Sequence, residues 1–377
     1  MAKKQIKWKN YANYIVISLL TVLFGVLSLT GMLPASTIYL LEKIAIAVML
    51  AVSLSVVVGF LGELSLGHAG FMCVGAYLGG KVACLLEPVM GNSFPALILA
   101  VIVGGGVAAV CGVIIGLPAL RLKGDYLAIV TLAFGEIVRS LFMNSSDASF
   151  GGSLGLDTPR FDKSYLFIIA MVLVLLCLMV IQNLIRSKHG RAITSIRDNE
   201  IAAKATGINV TKYKLAVFTI AAFFAGIAGV LYSYSNFTVQ STKFSYNYSI
   251  EILVMVVLGG MGSIIGSIIA ATLITYLDVT LQTVLTGDLA VLQDLLYALI
   301  LIVLVIYNNA PALKGFRETH SIKAFLGRLR KHDPSHQRDD EAKWDRVPTK
   351  IEMNEVLSVD VQPTMSTVDP DKKEVRK

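Results

Sequence analysis

The chain has 377 residues, of which 55% are hydrophobic and only 16% charged, and its mean hydropathy is +0.69. A soluble globular protein carries roughly 25% charged residues, and the shortfall deepens once the segment after Pro311 is set aside, because that segment holds 14 of the 33 Lys and Arg and 12 of the 26 Asp and Glu. The charges that remain cannot cover a hydrated surface, which excludes a water-soluble enzyme, a nucleic-acid binder or a disordered chain for the main body and predicts an integral membrane protein. The net charge of +7 does not imply a nucleic-acid partner, because the basic residues sit at the ends of apolar runs and in two connecting stretches, where topology places them against the bilayer. Cys73, Cys84, Cys111 and Cys177 lie inside apolar runs without ligand spacing, so neither a disulfide framework nor a metal site is expected.

A crossing helix needs about 20 apolar residues. Candidate spans are Tyr11–Met32, Ser36–Phe60, Leu64–Leu86, Phe94–Leu117, Tyr126–Met143, Tyr165–Ile185, Tyr213–Tyr234, Ile250–Leu277 and Leu289–Tyr307. The first follows Lys3, Lys4, Lys7 and Lys9; its apolar run is too long for a signal peptide and no small-residue cleavage site closes it, so an uncleaved first helix is expected. The fold class predicted is all-α, a polytopic membrane protein with about 8–10 transmembrane helices, glycine-broken segments included.

Lys and Arg bias sets orientation. With residues 1–10 cytoplasmic, the alternation puts Arg121 and Lys123 inside, together with the long basic stretch 186–214 that holds Arg186, Lys188, Arg191, Arg197, Lys204, Lys212 and Lys214. The loops Glu87–Ser93 and Asn144–Lys163 then fall outside. Parity breaks at Ile250–Leu277: one plain crossing would place the connector Asp278–Asp288, which has no Lys or Arg, inside and the basic stretch 311–331 outside. The glycines of Leu258-Gly259-Gly260-Met261-Gly262-Ser263 offer a resolution. Each weakens a helix by about 1 kcal/mol relative to Ala, so the segment reads as two half-helices, with broken backbone tolerated only where protein or a water-filled cavity covers it. The pore is expected there, with Asp278–Asp288 extracytoplasmic. A second interruption, Gly59-Phe60-Leu61-Gly62-Glu63-Leu64-Ser65-Leu66-Gly67-His68-Ala69-Gly70, stands in the first half. Two such segments are what internally duplicated transporters show, although glycine also serves ordinary close packing, the reading favoured for Gly75–Gly79, Gly112–Gly116 and Gly262–Gly266. Residues 332–377 are polar, contain proline and lack apolar periodicity, as in a disordered cytoplasmic tail.

Ionisable residues within the apolar segments are functional candidates by default. They are Glu42, Lys43, Glu63, His68, Glu136, Arg139 and Glu251. Glu136 and Arg139, one helical turn apart, read either as a polar gate lining a pore or as a structural ion pair between helices. His68 reads as a hydrogen-bonding residue at the helix break. Gly75-Ala76-Tyr77-Leu78-Gly79-Gly80-Lys81-Val82 begins like a phosphate-binding loop but lacks the hydroxyl at Val82 and lies in an apolar helix, so ATP, if used, must bind another chain. In the basic stretch, the alanine-rich centre of Arg197-Asp198-Asn199-Glu200-Ile201-Ala202-Ala203-Lys204-Ala205-Thr206-Gly207 favours a short helix, with Asp198, Asn199 and Gly207 as candidate caps. A small helix projecting from a membrane body suits docking on another protein; a lipid-surface helix or a plain loop is the alternative.

Four stretches together resemble the permease subunits of bacterial branched-chain amino acid ABC transporters, the LivM type. They are Gly62–Phe71, Leu120–Leu132, Gly190–Asn209 and Val256–Ser263, within a likeness that covers about Ile38–Ala312. The resemblance implies a heteromeric importer in the bacterial cytoplasmic (inner) membrane. Its expected partners are a second, LivH-like permease, two LivG- and LivF-like ATPase subunits that hold the ATP and Mg, and an extracytoplasmic binding protein delivering Leu, Ile or Val. No cofactor and no catalytic residue is expected in this chain. The resemblance makes residues 186–214 the ATPase-coupling loop, with Arg197, Asp198, Asn199, Glu200, Ala202, Ala203 and Gly207 as its site. Its general pattern is Glu-Ala-Ala, three residues, then Gly; here Ile201 occupies the Glu position and Glu200 precedes it. Candidate pore or helix-break residues are Gly62, Glu63, Ser65, Gly67, His68, Gly70, Glu136, Arg139, Gly259, Gly260, Gly262 and Ser263. Readings left open are a related permease for urea, short amides or other amino acids, and a stand-alone secondary transporter or channel.

Overall fold

The computed structural model describes residues 12–91, 93–120, 122, 124–159, 161–285 and 291–309. Residues 1–10, Arg121, Lys123, the basic stretch 311–331 and the tail 332–377 lie outside the described residues. The chain divides at Asn309 into two units, and the helical body is the first. Its α-helices are α1 (Ala12–Leu29), α2 (Ala35–Ser55), α3 (His68–Met90), α4 (Phe94–Ala119), α5 (Asp125–Met143), α6 (Asp147–Phe150), α7 (Lys163–Arg186), α8 (Lys188–Asp198), α9 (Glu200–Ala205), α10 (Val210–Ser235), α11 (Tyr246–Gly259), α12 (Ile264–Val284) and α13 (Val291–Asn309). Seven of the described helices are long and apolar enough to cross a membrane: α2 with its extension to Leu61, then α3, α4, α5, α7, α10 and α12.

Position in the bundle follows the apolar pattern. Every residue from Ala45 to Gly59 is buried, as a helix apolar on all sides must be, and α2 packs against α7, α10, α11 and α12. Behind it, α10 lies against both α3 and α4. Small residues set that spacing: a Cβ on Gly75 would stand 2.5 Å from the Cα of Gly226, and one on Gly112 would stand 2.7 Å from the Cβ of Ala222. The outer helices keep apolar side chains exposed, among them Ile102, Val110 and Ile114 on α4 and Ile129, Ile137 and Leu141 on α5. In water such faces would be an aggregation hazard; against lipid they are the expected surface.

The two breaks are real interruptions of the helices. Before the first, α2 passes into a π-helical turn, Val56–Leu61, and α3 begins only at His68, four residues later than the apolar run. The second separates α11 from α12 at Gly260–Ser263, and α11 and α12 pack side by side. With 14 residues, α11 is about 21 Å long, too short for a hydrocarbon core of about 30 Å. Asp278–Val284, read from sequence as part of a connector, forms the last two turns of α12, because its Leu and Thr residues continue the helix; residues 286–290 lie outside the described residues. At the far end of α10, the loops after α5 and α10 join in an antiparallel ribbon, β1 (Leu156–Asp157) with β2 (Thr238–Val239). The Tyr77 hydroxyl donates to the Val239 carbonyl at 3.0 Å, and that of Thr158 to the Ser233 carbonyl at 2.6 Å. These two loops therefore share one end of the bundle, while α8 and α9 attach at the other, 26 residues of α10 away.

Candidate coupling site

The π-helical turn ends because Gly62 takes a left-handed backbone, φ +78°, open to glycine at little cost. The Glu63 N–H returns to the Val57 carbonyl at 3.1 Å, and residues 62–67 then run without regular structure back along α2. His68 stands beside Ser53, eight residues before the end of the turn, with Nε2 and Oγ 2.8 Å apart. The chain thus climbs about 12 Å back into the bundle before α3 starts. This backbone finds side-chain partners: the Leu66 N–H donates to Thr131 Oγ1 at 3.0 Å and the Ala69 N–H to Ser249 Oγ at 3.1 Å. The Ser65 hydroxyl is buried without a hydrogen-bond partner among the described residues. Gly67 and Gly70 admit α5 at close range, since a Cβ on each would lie 2.6 Å from the Thr131 carbonyl oxygen and 2.7 Å from the Gly135 Cα.

The two breaks touch. A Cβ on Gly59 would lie 2.4 Å from the backbone nitrogen of Gly262, so the turn after α2 packs backbone to backbone on the turn after α11. In the second break Gly260 and Gly262 have φ of +89° and +84°, Ser263 caps α12 by accepting from the Gly266 N–H at 3.1 Å, and Gly259 packs on Gly266.

The basic stretch meets this junction from below as two helices. The break between α8 and α9 falls at Asn199, whose extended backbone (φ −158°) and side chain, accepting from the N–H groups of Ile201 and Ala202 at 3.0 Å each, cap α9. Gly207, at φ +84°, closes α9 in a Schellman motif: its N–H donates to the Lys204 carbonyl at 3.0 Å, and that of Ile208 to the Ala203 carbonyl at 3.1 Å. Asp198 caps neither helix. Its Oδ1 accepts from Arg197 Nε and Nη2 at 3.1 and 3.0 Å. Arg197 also donates through Nη1 to the Gly59 carbonyl at 3.1 Å, and its Cγ occupies the space beside Gly62 where a Cβ would stand 2.6 Å away.

A second tie comes from Lys214, in the second turn of α10. Its ammonium donates to Glu63 in the first break and, at 3.1 Å, to Glu200 on α9. The Lys214 side chain is only 4% exposed and that of Glu63 12%, so the ion pair is shielded from solvent. Removing one partner of a buried pair costs about 3–5 kcal/mol, because the other charge is left uncompensated. Glu200 also accepts from Lys204 at 2.7 Å. Those hydrogen bonds, Lys204 first and then Lys214, hold its carboxyl at about 2, below the ordinary carboxylate value. Glu200 therefore faces inward, and the side chain α9 presents outward is Ile201, 78% exposed, with Ala202 and Ala205 beside it. Ala203, read from sequence with Ala202 as a contact surface, is 3% exposed and packs within this chain. Sequence reasoning missed Lys214 as a site residue, taking it for a topology signal; a lysine within an apolar span was the available clue.

Glu136 and Arg139 pair within α5, Nε to Oε2 at 2.7 Å, not between helices. The other oxygen of Glu136 accepts from the Tyr246 N–H at 2.9 Å, so a negative charge sits at the amino end of α11, where the helix dipole favours it.

The family description "branched-chain amino acid transport system / permease component" matches residues 36–306. Among curated proteins, the chain is similar to the high-affinity branched-chain amino acid transport system permease protein LivM of Salmonella typhimurium, 39% identical over 61% of this chain and 60% of that one. It is also similar to LivM of Escherichia coli, 36% identical over 64% of this chain and 63% of the relative. It spans under two thirds of either relative's length. A more distant likeness is to the ribose import permease protein RbsC of Escherichia coli, 26% identical over 72% of this chain and 84% of that one. No solved structure matches the chain. The chain is a multi-pass membrane protein and belongs to the family of permease components of branched-chain amino acid transport systems.

Proposed function

We propose that this chain is one permease subunit of an ATP-driven importer of branched-chain amino acids in a bacterial inner membrane, with α8 and α9 on the cytoplasmic side. Its partners in this reading are a second permease, two ATPase subunits that bind ATP and Mg, and an extracytoplasmic binding protein. The cargo follows the names of the LivM relatives. The observation that carries the mechanism is the pair of ties between the α8–α9 segment and the broken helices: Arg197 on the Gly59 carbonyl and Lys214 between Glu200 and Glu63.

An ATPase subunit that moves the exposed face of α9, at Ile201 and Ala202, would displace Glu200, and through Lys214 the carboxylate of Glu63. Arg197 would carry the same movement to Gly59, where the two breaks meet. Breaks lined by glycine and a π-helical turn give the bundle a place to bend, and their contact seals the end of the pathway nearest the ATPases. A stand-alone secondary transporter has no use for a segment that ties an exposed apolar helix to both breaks. The test is co-purification followed by reconstitution: the tagged chain should bring down a second permease and two ATPase chains, and vesicles holding them should take up labelled leucine only with ATP and the binding protein. Leucine uptake by this chain alone would overturn the reading.

A further inference from the structure

A cavity of about 440 Å3 opens at the end of the bundle that carries the β1–β2 ribbon. It is lined by Asn236, just beyond α10, and so stands a helix length from α9. Its volume is that of a small-molecule site, and its wall is charged with both signs. Lys43 on α2 and Lys243 in the turn before α11 supply cations; Glu251 on α11 and Asp278 on α12 supply carboxylates. On each of three helices, one turn towards the breaks, the lining changes character: Lys43 gives way to Ile46 and Ala47, Glu251 to Met255, and Asp278 to Thr275. Met72 and Phe244, both buried, complete the apolar floor.

Two details argue that this arrangement is built. The Glu251 carboxylate is held by the Tyr297 hydroxyl, 2.9 Å from Oε1, and the Lys43 ammonium lies 5.0 Å above the Tyr39 ring, so both charges are positioned. Thr275, 7% exposed, has a hydroxyl with no hydrogen-bond partner among the described residues. A buried hydroxyl left unpaired requires an explanation, and a ligand in the cavity it lines provides one. Charges of both signs within a membrane body are expensive to keep without a function.

From this geometry we infer that the cavity binds a zwitterionic amino acid with an apolar side chain. The lysines take its carboxylate, Glu251 and Asp278 take its ammonium, the Thr275 hydroxyl adds a hydrogen bond, and the side chain rests on Ile46, Met72 and Met255. The inference rests on the import reading, which already names the cargo, and adds to it a binding site within this chain. A neutral sugar, the cargo named for the RbsC relative, would leave two carboxylates and two ammonium groups without counter-charges from the ligand.

The test is photo-crosslinking of the full chain in lipid nanodiscs with a diazirine analogue of leucine, read by peptide mass spectrometry. Labelling is expected on the peptides holding Ile46, Met72 and Met255. Leucine should compete, whereas leucinamide, 4-methylpentanoate and ribose should each compete at least about tenfold less well, the loss of one charge-assisted contact or more. Thr275→Val, a near-isosteric change, should weaken labelling, and Glu251→Gln should weaken it further while leaving far-ultraviolet circular dichroism unchanged. Labelling confined to other peptides, or equal competition by leucinamide and leucine, would overturn the inference. No ATP enters this measurement, so its failure leaves the import reading standing, and absence of ATPase partners would not alter its result.

Discussion

The ammonium of Lys214 donates to the carboxylate of Glu63, 151 residues earlier in the chain, and so ties the start of α10 to the break that follows α2. The same ammonium reaches Glu200 on α9. One cation therefore links the outermost helix of the basic stretch to the irregular backbone inside the bundle.

Replacing Lys214 by Met should strand the Glu63 carboxylate, while Glu200 keeps its ion pair with Lys204, and destabilise the chain by about 3–5 kcal/mol. Adding Glu63→Gln removes most of the stranded charge, so the double variant should recover part of that loss. Thermal unfolding in detergent for the single and double variants measures the coupling. Additive losses would show that the pair is not the structural tie described here.

Gly62→Ala places a Cβ on a backbone at φ +78° and 2.6 Å from Arg197 Cγ. The expected cost is about 1–3 kcal/mol. Gly106, inside α4, has open space where its Cβ would go, so Gly106→Ala should stabilise by up to about 1 kcal/mol. Equal effects at the two positions would contradict the conformation assigned to the first break.

Ala203 and Ile201 separate internal packing from docking. Ala203→Trp should lower the abundance of the chain itself, since the site is buried, by an overpacking cost of about 1–3 kcal/mol. Ile201→Asp, on the exposed face, should leave abundance unchanged and release the ATPase chains on co-purification. The reverse pattern would show that the faces of α9 are exchanged.

Glu200 titrates at about 2 in the folded chain, against about 4.3 when unfolded. Its stabilising contribution is therefore complete above the unfolded value and is lost as pH falls through about 2; nothing changes through this group between pH 5 and 8. Carboxyl carbon shifts in a glutamate-labelled sample should show that midpoint, and Lys204→Ala should raise it. An intact chain with a Glu200 midpoint above about 4 would contradict the hydrogen bonds described.

The sequence made legible whatever is local. Apolar runs marked the spans, the glycines of Leu258–Ser263 marked the break between α11 and α12, and Asn199 and Gly207 sit where cap chemistry puts them. Asp198 was misplaced because a single short helix was expected, whereas the basic stretch holds two and the chain turns at Asn199. The facing of Ala203 was beyond reach because α9, at six residues, is too short for a periodic pattern. Lys214 was grouped with its basic neighbours: its place inside the apolar span set it apart, but its partners, Glu63 and Glu200, are brought to it only by the tertiary fold. Contact between Gly59 and Gly262 is likewise tertiary, and composition alone shows only that both breaks contain glycine.

The central claim is that movement at α9 reaches the breaks through Arg197 and Lys214. The most direct measurement is the ratio of leucine taken up to ATP hydrolysed in vesicles holding the assembled transporter, for the intact chain and for Lys214→Met with Glu63→Gln. The account predicts that the ATPase chains remain bound and hydrolysis continues while the ratio falls at least about tenfold. An unchanged ratio in a correctly assembled variant would contradict it.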